Sequence, residues 1–238
     1  MQIKLDTHSH TLASAHAYST ILENARVAAD RGMELLAITD HAPCMDDSPH
    51  IMHFINYPRL DKTIYGVEMR YGVEVDITDY EGSVSMEQAL LDEMDIGIAS
   101  FHEVVLRSGS KAENTRAFLG AMQTPNISII GHPDDSRVPI DFEALVIEAK
   151  RVGVLIEVNN SSLHPSHFRQ GARENYKTIL KLCEQHGVSI ALGSDAHFAL
   201  AVGDHSMALA LLEEVGFPEE LVINTDPARF REVLAKRK

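Results

Sequence analysis

Six short clusters of histidine and carboxylate punctuate this chain: Asp6-Thr7-His8-Ser9-His10, Thr39-Asp40-His41, Glu74-Val75-Asp76, Phe101-His102-Glu103, Gly131-His132-Pro133 and Ser194-Asp195-Ala196-His197. Imidazole nitrogen and carboxylate oxygen are donors for divalent transition ions, which polarise bonds and activate water. On an extended strand, His8 and His10 point to one side with Cα atoms roughly 6.5 to 7 Å apart, near enough for both imidazoles to meet one ion. Asp195 and His197 repeat that spacing. A single His-x-His pair is weak evidence. Six clusters are hard to explain as packing, because burying so many imidazoles and carboxylates without a compensating cation would be costly.

The elements that must position these clusters can be read from periodicity. Short β-branched runs alternate with amphipathic stretches, predicting strands over 3–7, 35–39, 70–77, 96–101, 127–131, 154–158 and 188–192. Helices are predicted over 20–31, 86–93, 112–122, 141–152 and 171–186, with Gly32, Gly153 and Gly187 as stops. Asp204 is expected to cap a helix carrying Met207, Leu211 and Leu212. Asp226-Pro227 opens a terminal helix whose Lys236, Arg237 and Lys238 suit its negative end. A loop rich in Pro, Asp and His fills 41–58. Each cluster therefore lies at the C-terminal end of a strand. Strands alternating with helices imply right-handed βαβ units around a parallel sheet. About seven units suggest a (β/α) barrel, whose C-terminal strand ends converge on the face that carries active sites. An open doubly wound sheet is the alternative; the chain has no glycine-rich phosphate loop.

Composition narrows the partners. The 238 residues are 45% hydrophobic and 24% charged, ordinary globular usage that suits one domain over 1–238 and excludes a disordered or fibrous chain. No apolar run is long enough to cross a bilayer. Cys44 falls in a loop and Cys183 in a helical stretch, so both read as free thiols of a reducing, cytoplasmic compartment. The formal net charge is -14, and no stretch combines basic residues with aromatics, which argues against nucleic acid or an anionic membrane as partner. Bound cations would reverse the local field and let an acidic protein attract a small anion. Thirteen histidines make that exception the one to pursue.

With Ala15-His16-Ala17-Tyr18-Ser19, Gly72-Val73-Glu74 and Glu157-Val158-Asn159-Asn160-Ser161-Ser162 added to the clusters above, the chain resembles the PHP (polymerase and histidinol phosphatase) domain family along essentially its whole length, and within it the YcdX-type bacterial phosphatases. The resemblance implies a distorted (β/α)7 TIM-like barrel with about three divalent ions, a trinuclear site. It implies that His8, His10 and Asp195 hold one ion, that Glu74 bridges to a second completed by His102 and His132, and that His16, His41 and His197 hold the third. Nine ligands, all nitrogen or oxygen, suit zinc first and manganese or iron as alternatives. A metal-bridging hydroxide would then attack phosphorus in line, without a covalent enzyme intermediate and with no catalytic residue beyond the ligands. A homo-oligomer, a trimer by the same resemblance, is in keeping.

Among the remaining residues, Arg169, His50 and His53 are the candidates for substrate contact, with His164 and His167 beside them. Asp6 and Asp40 either orient neighbouring histidines or accept backbone hydrogen bonds. Asn159, Asn160, Ser161 and Ser162 either line the pocket or form a polar turn. His186 and His205 are expected on solvent-facing helix surface, Cys44 as a bystander and Cys183 in helix core. Pro133 leads into Asp134-Asp135 where the YcdX-type pattern has Gly and Asn, which places negative charge near the pocket rim. The expected function is metal-dependent hydrolysis of a small phosphomonoester. A phosphodiesterase, an amidohydrolase-type hydrolase and a non-catalytic metal-binding module are the alternatives, the last disfavoured because all nine ligand positions are filled.

Overall fold

The computed structural model describes every residue except Asp47. In chain order the elements are β1 (Leu5–Asp6), α1 (Ile21–Asp30), β2 (Leu35–Ile38), α2 (Met52–Ile55), β3 (Thr63–Ile64), β4 (Val67–Tyr71), β5 (Val73–Asp76), α3 (Gln88–Leu91), β6 (Gly97–Ser100), α4 (Lys111–Ala121), β7 (Ile127–Ile130), α5 (Phe142–Val152), β8 (Leu155–Asn159), α6 (Ala172–His186), β9 (Ile190–Gly193), α7 (Ser206–Val215) and α8 (Pro227–Arg237). Every predicted strand and helix is present, most within one or two residues of its expected ends. Three features differ. The third strand is divided, a short hairpin strand, β3, pairs antiparallel with β4, and the single-turn helix α2 lies within the stretch 41–58 expected to be loop.

The division has a steric cause. β4 belongs to a sheet ordered β1-β2-β4-β3 and β5 to one ordered β5-β6-β7-β8-β9. Between them Gly72 passes so close to the next strand that a Cβ there would sit 2.2 Å from the Ile96 carbonyl oxygen. The strand changes sheets where only glycine fits. Single bridges rather than ladders then join the two sheets, His41 to Glu74 on one side and Ser9 to Ala196 on the other. Among the described residues, seven parallel strand positions thus make a distorted α/β barrel of the TIM-like kind.

Alternation along the strands divides the interior by height. Leu35 and Ala37 of β2 point inward with Leu5, Ile98, Ile129, Leu155 and Ala191, while Leu36, Ile38, Ile156 and Val158 pack outward against the helices. Up β8 the inward column reads Leu155, Glu157, Asn159, apolar at the base and polar above. α8 closes the base with Phe230 and Leu234. Its last residue, Arg237, donates to the carbonyls of Ile127 (2.7 Å), Val152 (3.1 Å), Met122 (2.7 Å) and Thr124 (2.9 Å), tying two consecutive βα units together from below. Asp226 caps α8 as expected. Asp204 does less for α7 than expected: it accepts from Ser206 N, but Asn160 Oδ1, from the loop after β8, takes the Met207 and Ala208 N–H groups. No helix among the described residues is long and apolar enough to cross a membrane.

Candidate metal centre

At the C-terminal ends of the strands, Glu74 occupies the middle of a histidine cluster. Its Oε1 lies 2.9 Å from His132 Nε2 and 3.6 Å from His102 Nε2, and its Oε2 lies 2.9 Å from His41 Nδ1, 3.4 Å from His8 Nε2 and 3.6 Å from His10 Nε2. Asp195 Oδ1 faces His10 Nε2 at 3.2 Å, His197 Nδ1 at 3.5 Å and His8 Nε2 at 3.7 Å. The His16 ring lies 4.6 Å from that of His197 and 5.0 Å from that of His41. All nine residues named from the sequence thus adjoin one another. Two of them, His132 (φ 28°) and Asp195 (φ 53°), have left-handed backbones, a strain that side-chain-bearing residues keep where surrounding structure demands it.

The donor atoms behave as ligands rather than as a hydrogen-bonded core. Three triplets, His8-His10-Glu74, His41-Glu74-His102 and His10-His41-His197, each bring their ligand atoms within 4.8 Å of one another. The first triplet falls within one set implied by resemblance, to which Glu74 was expected to bridge, and the other two cut across the sets; Glu74, His10 and His41 are each shared by two. His10 Nδ1, both ring nitrogens of His41 and Glu74 Oε2 are buried without a hydrogen-bond partner among the described residues. His41 Nδ1 and Glu74 Oε2 approach to 2.9 Å yet lack hydrogen-bond geometry. Buried polar atoms left in this way are costly unless a cation accepts their lone pairs, so the residues present fit divalent ions.

Electrostatics point the same way. Burial opposes charge on Glu74, yet His8, His41 and His102 hold its carboxyl well below the usual range. Asp195 is likewise held well below, by His8, His10 and His197 against burial. Burial, reinforced by His197 and His41, pushes His10 down to about 3, and burial with Arg169 takes His132 to about 4. Burial also opposes charge on His8, but Glu157, Glu74 and Asp195 raise it well above its ordinary value. Ionised carboxylates and neutral imidazoles are the forms that bind metal; Glu74, Asp195, His10 and His132 are held in them, whereas His8 and His41, the latter raised, against burial, by Glu74, would give up a proton to an incoming cation.

Two carboxylates assigned no role from sequence orient the histidines. Glu157 Oε1 is 2.7 Å from His8 Nδ1, while its Oε2 accepts from His132 N at 2.7 Å and Asn159 Nδ2 at 3.2 Å. Asp76 Oδ1 is 2.6 Å from His102 Nδ1. Room for Glu157 is made by Gly193 of β9, where a Cβ would stand 2.0 Å from Glu157 Oε1 and 2.8 Å from His8 Cβ. The signal was available: an acidic residue at an inward position of an otherwise apolar buried strand needs a partner. Of the two alternatives for Asp6 and Asp40, the structure shows the second, hydrogen bonds accepted from loop backbone. Asp6 accepts from Ser194 N (3.0 Å) and Gly203 N (2.8 Å), and Asp40 from Thr11 N (2.8 Å) and Ser14 Oγ (2.7 Å).

A cavity of about 900 Å³ opens above the cluster, lined also by Arg169, His167, Phe168, Ser161 and Cys44. The Arg169 guanidinium bonds Ser162 Oγ at 2.7 Å and lies 3.8 Å from Asp195 Oδ2. Asn159 bonds Asp195 Oδ2 at 3.0 Å, so this stretch supports the pocket and is more than a turn. His50 and His53 are not brought to the cavity wall. The turn at α2 directs His53 Nε2 onto Tyr57 Oη (2.8 Å) and Asp40 Oδ2 (3.1 Å), and His50 accepts from Met52 N. His164 bonds Ser166 and also lies outside the wall. His205 is buried 3.5 Å from Asp6, not solvent-facing as expected, because it sits at the start of α7 against β1; His186 is half-buried. The negative charge expected at the rim is offset: Asp135 pairs with Arg137, and burial raises Asp134 to about 7. Cys44, its Sγ 2.8 Å from Asp76 Oδ2, is pushed up to about 12 by burial and Asp76, an inert thiol. Cys183 is in helix core.

Comparison with known proteins agrees with this geometry. A probable phosphatase of Clostridium novyi (strain NT) is 44% identical over 226 residues, 95% of this chain and 92% of that protein. A probable phosphatase of Thermoanaerobacter sp. (strain X514) is 44% identical over 239 residues, 100% and 97% of the two chains. In fold the chain is similar to the Lactococcus lactis histidinol phosphate phosphatase crystallised with zinc, L-histidinol and phosphate, with a TM-score of 0.60 at 19% identity over 90% of this chain and 94% of that one. The family model for the PHP domain matches residues 6–231, and the chain belongs to the PHP domain family.

Proposed function

We propose that this PHP-family phosphatase releases phosphate from a small soluble phosphomonoester at a centre of three divalent ions, held by His8, His10, His16, His41, Glu74, His102, His132, Asp195 and His197. The observation that carries the reading is the continuity of the three ligand triplets through Glu74, His10 and His41 at the floor of one open cavity. Divalent ions there would lower the pKa of water and neutralise phosphoryl oxygens. The chain's own residues fix the rest. Glu157 and Asp76 lock the tautomers of His8 and His102, so that each turns its Nε2 toward Glu74. Arg169, its side chain 7% exposed at the cavity wall, is the cation available to a phosphate from the protein side. Zinc is the ion we assign first on the donor set, with manganese or iron as substitutes. The chain acts as one unit over 1–238 in the cytoplasm.

The test is phosphate release from monoesters and bis-esters by protein loaded with zinc or manganese, with metal counted per chain and His10→Ala as control. Three ions per chain with monoester turnover lost in the variant is the expected result. Cleavage of bis-esters alone, or fewer than two ions per chain at saturation, would overturn the reading.

A further inference from the structure

Beside the main cavity lies a second, of about 290 Å³, that shares His102, His132, Phe168 and Arg169 with it. Its character is different. One wall is apolar, with Phe101 and Phe118 stacked at 5.9 Å between ring centroids and Val138 buried beside them, and the other carries Glu103, Asp135 and Arg137. Arg137, the cation confined to this cavity among the described residues, is neutralised by Asp135, which takes its Nε at 3.0 Å, and by Glu103 at 3.5 Å. The exposed Phe168 ring at the mouth stands 5.5 Å from the guanidinium carbons of both Arg137 and Arg169, a position favourable to an aromatic face.

We infer that this second cavity receives the leaving group, and that the substrate is therefore the phosphate ester of an alcohol bearing an apolar, ring-sized group. This rests on the phosphatase reading above. A phosphoryl group against the histidine cluster and Arg169 sits on the boundary of the two cavities, so the ester oxygen points to one of them. The open cavity leads to solvent, while the small one offers an apolar wall and lies at the lower end of the size range of organic-ligand pockets. With Arg137 paired, the small cavity has no free cation of its own for a second phosphate or a carboxylate. It suits a ring better than a polyol, whose hydroxyls would face Phe101, Phe118 and Val138.

The experiment compares phenethyl phosphate with propyl phosphate on the metal-loaded protein, two primary-alcohol esters of similar intrinsic reactivity. Burying the ring should raise kcat/KM for phenethyl phosphate roughly 10- to 100-fold over propyl phosphate, chiefly through KM. Val138→Trp, which fills the cavity, and Phe168→Ala, which removes an exposed ring and so risks little of the fold, should each bring that ratio to within about threefold of one. A wild-type ratio near one, or a ratio unmoved in both variants, would overturn the subsite while turnover of propyl phosphate left the phosphatase standing. Absence of turnover with either ester would remove the phosphatase reading and the subsite with it.

Discussion

Replacing Glu157 with glutamine tests how the histidines are held, because it changes one atom and almost no volume. Both carboxylate oxygens are in use at 2.7 Å, Oε1 on His8 Nδ1 and Oε2 on His132 N. An amide can satisfy only one of these donors. If its oxygen stays with His132 N–H, the NH2 group faces His8 Nδ1, which must become an acceptor. The proton then moves to His8 Nε2, the nitrogen 3.1 Å from His10 Nε2 and 3.4 Å from Glu74 Oε2. A protonated nitrogen cannot be a ligand. If the amide is reversed, two N–H donors oppose each other at His132, a cost of about 1–3 kcal/mol. Either way, metal affinity should fall about 10- to 100-fold, or about 1.4–2.8 kcal/mol. The assay is titration of metal-free protein with zinc against a chromophoric competitor, with circular dichroism melting to confirm that the apo fold is intact. Affinity within twofold of wild type, with turnover unchanged, would refute the tautomer argument.

Four further expectations follow from the same contacts. Gly193→Ala should lower stability by about 1–3 kcal/mol and weaken zinc binding, since its Cβ would displace Glu157 and press on His8; urea unfolding and the zinc titration read the two effects. Arg237→Ala should cost about 2–3 kcal/mol in urea unfolding, through loss of charge-assisted bonds to carbonyls of two βα units. Removal of metal by a chelator should lower the melting temperature and readdition of zinc restore it, the stability regained being about 2.7 kcal/mol for each ion bound at 100 times its Kd; a melting temperature indifferent to the chelator would speak against the centre. Glu68 is held below its ordinary 4.5 first by Arg231 and then by Arg70. Its contribution, about 0.5 kcal/mol for so exposed a pair, is present above pH 4.5 and lost as pH falls through the lower folded value, so the stability gap between wild type and Arg231→Ala should close in acid unfolding.

The sequence anticipated which histidines and carboxylates gather at the strand ends but gave Glu157 and Asp76 no part in orienting them, and the difference is physical. His8 and His10 are legible because residues two apart on extended chain share a side, a local relation that holds just beyond the end of β1, where their Nε2 atoms come within 3.1 Å. Glu157 and Gly193 belong to one arrangement but to different strands, β8 and β9, so their fit depends on register, which nothing within either strand reveals. The same holds for Asn160 and the start of α7: the helix pattern is local, whereas the acceptor that satisfies Met207 and Ala208 comes from another loop. Asp6 and Asp40 drew attention by lying beside histidines in the chain. Neighbours on a strand point to opposite sides, so Asp40 faces away from the cluster and meets the Thr11–Ser14 turn instead. Asp76 lies two residues from Glu74, on the same side of β5, and that is why it reaches His102. Adjacency in sequence was the wrong measure of which carboxylates orient the metal's histidines; the alternation that identified the ligands also identifies their partners, once the inward columns of neighbouring strands are read together.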